Sequence, residues 1–338
     1  MSEVWVFLRQ TVNRIIRGLL LGALGTGLLI IPGVGVSAYM VRLLATIFLW
    51  IGKTGCWNII AGYTGYIDFG AVGYFGIGSY ATALLMAKGQ LPFLLSMLTG
   101  AVISGLFALP IGLPTLRLRG AYFGIATLAF AEAMKEIILE FDKTVGINFF
   151  EGPHGITLPI GPGNAFFYYL GLLVMVMVIG LTYWIEQSKF GYGLRAVREA
   201  EHAAELSGVN TLKSKMGAYC LSAFFLALIG GIEAYWLTYI TPHMVFDVLV
   251  TIQMVVMALL GGIGTMWGPV VGASFLTLIY ELLHRDFPYT YTIIVGLIVV
   301  TVVLLMPRGI VGTLFQRRKK CMTGSGFRVK FISRNSQR

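Results

Sequence analysis

The stretch VLVTIQMVVMALLGGIGTMWGPVVGASFLTLIYELL, residues 248–283, decides the topology of this chain. Both of its halves are apolar, and Gly261, Gly262, Gly264 and Gly268 interrupt its middle. It reads either as one long tilted helix or as two short spans, 248–262 and 268–283, and the two readings place everything beyond it on opposite sides of a membrane. Working outward, further apolar runs of the length that crosses a bilayer, about 20 residues, lie at 18–36, 39–60, 66–87, 91–113, 120–140, 166–185, 216–240 and 290–306. Charge arbitrates, because Lys and Arg accumulate in the short loops on the cytoplasmic side. With ten spans and the N-terminus inside, nineteen of the 25 Lys and Arg residues fall inside, nine of them from Arg308 to Arg338. Only Arg42, Lys88, Lys143 and Arg285 fall outside, while Lys53 and Lys135 lie within spans. A single helix over 248–283 would carry the nine tail cations outside, so the sequence predicts a break at 261–268.

Composition agrees. The 338 residues are 57% hydrophobic and only 12% charged, against roughly 25% charged in a soluble domain. An ordinary soluble enzyme is excluded, and no large soluble domain fits beside the spans. The 43 glycines show no G-X-Y period, which excludes collagen and suits closely packed membrane helices. Cys56, Cys220 and Cys321 are scattered and read as small apolar residues. Arg9, Arg14 and Arg17 precede an apolar run from Gly18 in the manner of a signal peptide, yet the run continues to Val36 without a cleavage pattern and reads as a retained first span. The expectation is an all-α, polytopic integral membrane bundle of about eight to ten transmembrane helices, some broken or short. Its parts are a cytoplasmic N-terminal segment (1–17), a transmembrane domain (18–312) with a cytoplasmic loop (187–215), and a basic cytoplasmic tail (313–338). That tail, with Arg317-Arg318-Lys319-Lys320, reads as a solvated flank drawn to anionic membrane lipid, not as a nucleic-acid site.

Motifs of energy coupling are missing. Gly52-Lys53-Thr54 resembles the end of a phosphate loop, but the required leading glycine would fall on Ile47. The GxGxxA patterns at Gly33 and Gly76 sit in apolar runs, where glycines serve packing. His154, His202, His243 and His284 are dispersed without metal-ligand spacing, so no metal site is expected.

Three groups of residues remain as candidates. In 61–70, Gly62, Gly65, Gly70 and Asp68 fit either a broken helix beside a translocation path or a tight turn in which Asp68 caps the next helix; beyond it Gly73, Gly76, Gly78 and Ala81 suit a close helix crossing. Glu132, Glu136 and Glu140 share a helical stripe with Lys135 adjacent; Glu132 is the deepest, and Glu233 is a second intramembrane acid. Such groups usually face the bundle interior or an aqueous path, or make a buried helix contact. The third group is the loop 187–215. Arg195 to Leu206 is good helix-forming sequence that Gly208 would end, with Leu194, Val197 and Leu206 as its apolar contacts. It reads as a docking knob for a partner or as a solvated connector.

Four blocks taken together, GYTGYIDFGAVGYFGIGSYATALL (62–85), LRLRGAYFGIATLAFAEAMKEI (116–137), FGYGLRAVREAEHAAELSGVN (190–210) and LLGGIGTMWGPVVGA (259–273), resemble the inner-membrane permeases of branched-chain amino acid ABC transporters, LivM type. The resemblance runs from about 40 to 312 and extends to urea and short-amide permeases. It implies a permease subunit, not an enzyme, in a bacterial or archaeal cytoplasmic membrane, with both termini cytoplasmic. It also implies a second, LivH-type permease, two cytosolic ATPases that use ATP and Mg, and an extracytoplasmic substrate-binding protein; this chain itself would bind no cofactor. Permeases of this kind carry an EAA-x-x-x-G coupling motif, and 202–208 matches it with His202 in place of the leading Glu, carrying over Ala203, Ala204 and Gly208. Gly191, Arg195, Arg198 and Glu199 complete the coupling-loop candidates, while Gly62, Gly65, Asp68, Gly70, Glu132, Glu233, Gly261, Gly262 and Gly264 are the translocation-path candidates. The resemblance also makes the missing phosphate loop an expectation, since ATP would bind the partners. The rival is a self-contained secondary transporter coupled to protons through Glu132, Asp68 or Glu233.

Overall fold

A computed structural model describes residues 37–146 and 149–286, with a few isolated positions outside them. The expected spans 18–36 and 290–306 fall almost wholly outside the described residues, and the segments 1–17 and 313–338 wholly so. In chain order the elements are α1 (Ala38–Thr64), α2 (Ala71–Ala87), α3 (Phe93–Thr115), α4 (Ala121–Val145), a 3₁₀ turn (Gly152–His154), β1 (Ile156–Thr157), α5 (Asn164–Gln187), α6 (Lys189–Leu206), α7 (Thr211–Leu237), β2 (Tyr239–Ile240), α8 (Pro242–Val245), α9 (Val248–Gly261) and α10 (Trp267–Asp286).

The helix ends follow from local chemistry. The Ser37 hydroxyl accepts from the Met40 N–H at 3.4 Å to start α1. Gly65 ends it with a left-handed φ of 79°, its N–H donating to the Ala61 carbonyl at 3.1 Å. Asn210 starts α7 by accepting from the Lys213 N–H, and Asp247 starts α9 by accepting from the Leu249 N–H. Helices α1, α3, α5 and α7 and the stretch Pro242–Gly261 are long and apolar enough to cross a membrane, and α2 and the Trp267–Leu283 part of α10 are shorter apolar helices. The protein is a multi-pass membrane protein.

Connections alternate between two ends of the bundle. One end gathers 65–70, 116–120, α6 and 262–266, linked to one another by hydrogen bonds. The other gathers 88–92, 149–163 and 238–247. There Lys88 Nζ donates to the Phe149 carbonyl at 2.8 Å, and β1 pairs antiparallel with β2, Ile156 against Ile240. Between the ends, α2 is almost wholly buried against α3 and α7. A Cβ on Gly78 would overlap Ala227, and one on Gly230 would overlap the Phe75 carbonyl, so α2 and α7 cross with backbones in contact. Outward faces of α3 (Leu94, Leu98, Val102, Leu106) and α5 (Leu173, Val176, Trp184) are exposed and apolar, the surface a bilayer demands.

Residues 248–283 form two antiparallel helices joined at 262–266, as the charge distribution predicted. Gln253 Nε2 donates to the Tyr280 hydroxyl at 3.3 Å, a Cβ on Gly272 would strike the Met257 carbonyl, and one on Gly261 would strike Gly268. Gly262 and Gly264 make the turn with φ of 122° and 75°.

One open sequence reading is decided in favour of the turn, and two others change. The 61–70 segment does not interrupt a span, because α1 runs unbroken to Thr64 and the unwound part joins α1 to α2 at the end of the bundle. The loop helix starts at Lys189, where Ser188 accepts from the Gly191 N–H at 3.1 Å, and it bends at Ala200, whose backbone is extended (φ −157°, ψ 96°). Leu206 is 91% exposed and holds nothing; buried Leu194 and Val197 before the bend and buried Ala204 beyond it hold α6 down.

Candidate functional site

The richest polar region among the described residues lies where α6 meets the span connections. Its first limb, Lys189–Glu199, reaches two of them. Arg198 Nη1 donates to the Gly62 carbonyl at 2.5 Å, in the last turn of α1. Gly264, on the α9–α10 connection, lies against the same guanidinium: a Cβ there would collide with Nη1 and come within 2.7 Å of the Gly62 carbonyl. Asn58, fully buried in α1, completes the join, its Oδ1 accepting from the Gly264 N–H at 2.8 Å and its Nδ2 donating to the Thr265 carbonyl at 3.2 Å. Gly62 is small because Asn58 and Gly264 occupy the space a side chain would need. Arg195 approaches Glu186 at 3.6 Å, and Glu186 accepts from the Tyr63 hydroxyl at 2.8 Å, which ties the end of α5 to α1. Gly191 allows the sharp turn from α5, since a Cβ there would overlap the Ile185 carbonyl.

The second limb, Glu201–Leu206, addresses different spans. Glu201 accepts from Lys215 Nζ at 2.7 Å and from the Tyr66 hydroxyl at 2.8 Å, and Arg119 lies 3.7 Å away. Lys215, 4% exposed at the start of α7, also donates to the Leu116 carbonyl at 2.9 Å and to the Tyr66 hydroxyl at 3.1 Å. Glu201 thus joins α6 to α7 and to the α1–α2 and α3–α4 connections. Burial alone would raise the Glu201 carboxyl, but the hydrogen bonds from Lys215 and Tyr66 and the charges of Lys215 and Arg119 hold it below the ordinary glutamate range.

Beyond these bonds the tip of α6 is open. His202 is exposed and meets Arg119 at 2.8 Å, while Glu199, Ala203, Leu206 and Gly208 face outward. Gly208 has φ 83° with no atom near enough to obstruct a Cβ, so backbone conformation, not crowding, requires glycine there.

Asp68 lies close by, buried. Its Oδ1 accepts from the Gly70 N–H at 2.8 Å and its carbonyl accepts from Trp57 Nε1 at 2.7 Å, so the side chain organises the α1–α2 turn. Gly70 is pressed against Thr127 of α4. Glu132 and Glu233 are not part of this cluster. Glu132, 42% exposed on α4, pairs with Lys135 one turn away. Glu233 on α7 pairs across helices with Lys53 of α1 at 2.6 Å, near the opposite end. Among the described residues, no three His, Cys, Asp or Glu side chains gather as a metal site.

The family model for the branched-chain amino acid transport system / permease component matches residues 36–305. The chain belongs to that family. A high-affinity branched-chain amino acid transport system permease protein LivM from Salmonella typhimurium is 25% identical over 284 residues, 75% of this chain and 65% of that protein, and the LivM of Escherichia coli matches to the same extent. The chain therefore spans less than two thirds of the length of these two relatives. The fructose import permease protein FrcC of Rhizobium meliloti is 31% identical over 150 residues, 42% of this chain and 41% of FrcC. No solved structure matches.

For this branched-chain amino acid permease family member, sequence reasoning singled out α6 and both glycine connections but missed what joins them: Asn58, Tyr66, Glu186, Glu201 and Lys215. The available signal was polarity inside apolar spans, since Asn58 lies four residues before Gly62 and Lys215 opens a long apolar run.

Proposed function

We propose that the chain is the membrane permease subunit of an ATP-driven importer of branched-chain amino acids in a bacterial or archaeal cytoplasmic membrane. The α6 end faces the cytoplasm on this reading, as the positive-inside distribution favours. Two cytosolic ATPases dock on the exposed tip 199–208, a LivH-type permease completes the path, and an extracytoplasmic binding protein delivers substrate to the end with the β1–β2 pair. The observation that supports this best is the connection from that tip, through Arg198 and Glu201, to both glycine connections and to the start of α7. Motion of α6 on ATPase closure would reach α1, α7 and the α9–α10 hairpin together, rocking them between outward and inward states. A nucleotide shifts such states only by its differential affinity for them, so the energy enters through the partners.

The test is uptake of labelled leucine, isoleucine, valine and urea by vesicles holding the chain with a LivH-type permease, two ATPases and a binding protein from the same organism. ATP-dependent uptake of the three amino acids is expected. Urea uptake alone would reassign the substrate, and gradient-driven uptake by the isolated chain would support the secondary-transporter reading instead. Gly208→Arg, or deletion of 203–208, should abolish uptake while the chain stays in the membrane. ATPases that still co-purify with either variant would overturn the docking assignment.

A further inference from the structure

A pocket of about 140 Å³ opens between α1 and α7 at the end opposite α6. Arg42, Leu49, Trp50 and Lys53 line it from one face of α1, and Glu233 and Trp236 from the end of α7. Charge in a membrane span is costly, so such groups are usually paired or serve a path. Here the charges do not balance. Lys53, only 2% exposed, forms an ion pair with Glu233 at 2.6 Å. Lys53 Nζ also lies 4.0 Å from the centre of the Trp50 ring. Arg42 has no ion pair among the described residues, so the pocket holds two cations for one carboxylate. Its volume is close to that of an engineered cavity that accepts benzene, about 150 Å³, which suits a small molecule and not a peptide.

We propose that this pocket is a binding subsite for one zwitterionic α-amino acid with an apolar side chain. Arg42 and Lys53 take its carboxylate, Glu233 takes its ammonium, and Trp50 and Trp236 flank its side chain. The ligand class comes from the lining; the pocket's place on a transport route rests on the importer reading. A purely structural Lys53–Glu233 pair would neutralise Lys53 and show no preference among ligands.

The test uses the full chain in nanodiscs with a thiol introduced at the pocket wall by Thr46→Cys. Its maleimide labelling, above that of the unsubstituted chain, is followed as L-leucine, 4-methylpentanoate (carboxylate only) or isopentylamine (ammonium only) is added. L-leucine should protect saturably, and each single-charge analogue should need about tenfold more or worse, the factor expected when one charged hydrogen-bonding partner is lost. In the complete transporter, Arg42→Gln should raise the KM for leucine uptake about tenfold at little changed maximal rate. Glu233→Gln strands the buried Lys53 ammonium and Lys53→Met the partly buried Glu233 carboxylate, so either can fail to insert, and the exposed Arg42 carries this arm. Leucine uptake with no protection of the thiol, or with an unchanged KM in Arg42→Gln, would overturn the subsite and leave the importer reading standing. Protection without uptake of any branched-chain amino acid would uphold the subsite and overturn the importer reading; failure of both measurements would overturn both.

Discussion

The two ends of α7 carry, among the described residues, two interhelical ion pairs in opposite conditions. At the α6 end, Lys215 has three acceptors around it, and Glu201 has Lys215, Tyr66 and Arg119. At the other end, Lys53 and Glu233 form one pair beside open volume and beside Arg42, which has no ion pair among the described residues. Low dielectric strengthens a fully bonded network and leaves an incomplete one reactive to whatever can complete it. The first condition suits transmission of force, since few alternative arrangements are available to it; the second suits occupancy by a ligand.

Substitutions should break this contrast unequally. Glu201→Ala strands Lys215, 4% exposed, and should cost about 3–5 kcal/mol of stability, measured by denaturant unfolding in detergent. Arg42→Gln at the other end, being exposed, should leave stability within about 1 kcal/mol of the parent chain. Equal losses would erase the distinction between the ends. The same network has a pH signature. The Glu201 carboxyl sits below its ordinary range when folded, so its contribution is complete above that range and disappears as pH falls through the folded value. Acid unfolding of Glu201→Gln should therefore show a flatter pH dependence than that of the parent.

Arg198→Ala removes a charge-assisted hydrogen bond to Gly62 and should cost about 1.5–3 kcal/mol. Its sharper readout is uncoupling: ATP hydrolysis by the assembled transporter should persist while uptake falls. If uptake and hydrolysis fall together, Arg198 serves only assembly. The smallest effect is expected from Tyr63→Phe, which loses the bond to Glu186 at a cost of about 0.5–1.5 kcal/mol and should barely alter uptake.

The apolar spans among the described residues were legible because each depends on a local property, an apolar run, and the hairpin at 248–283 because the charge distribution favours a break there; the expected span 120–140 forms a helix, but its charged residues keep it out of the set apolar enough to cross a membrane. Position alone also exposed Gly208, which terminates α6. What the sequence hid are pairings between distant positions. Lys53 and Glu233 are 180 residues apart, Asn58 and Gly264 are 206 apart, and Tyr66 and Lys215 are 149 apart. No local pattern carries such distances; each group is legible only as a polar residue in an apolar run. Leu206 was misread for a related reason, since a helical stripe assumes a straight helix and Ala200 bends this one.

That bend has a mechanical consequence. With Ala200 extended, α6 behaves as two short rods sharing a joint, one fastened by Arg198 to α1 and the α9–α10 hairpin, the other by Glu201 to α7. A single pair of backbone torsions can change the angle between the rods without loosening either fastening. On the importer reading proposed above, a push on the exposed tip would thereby be divided, as by a differential, between two sets of membrane helices that need not turn by the same amount.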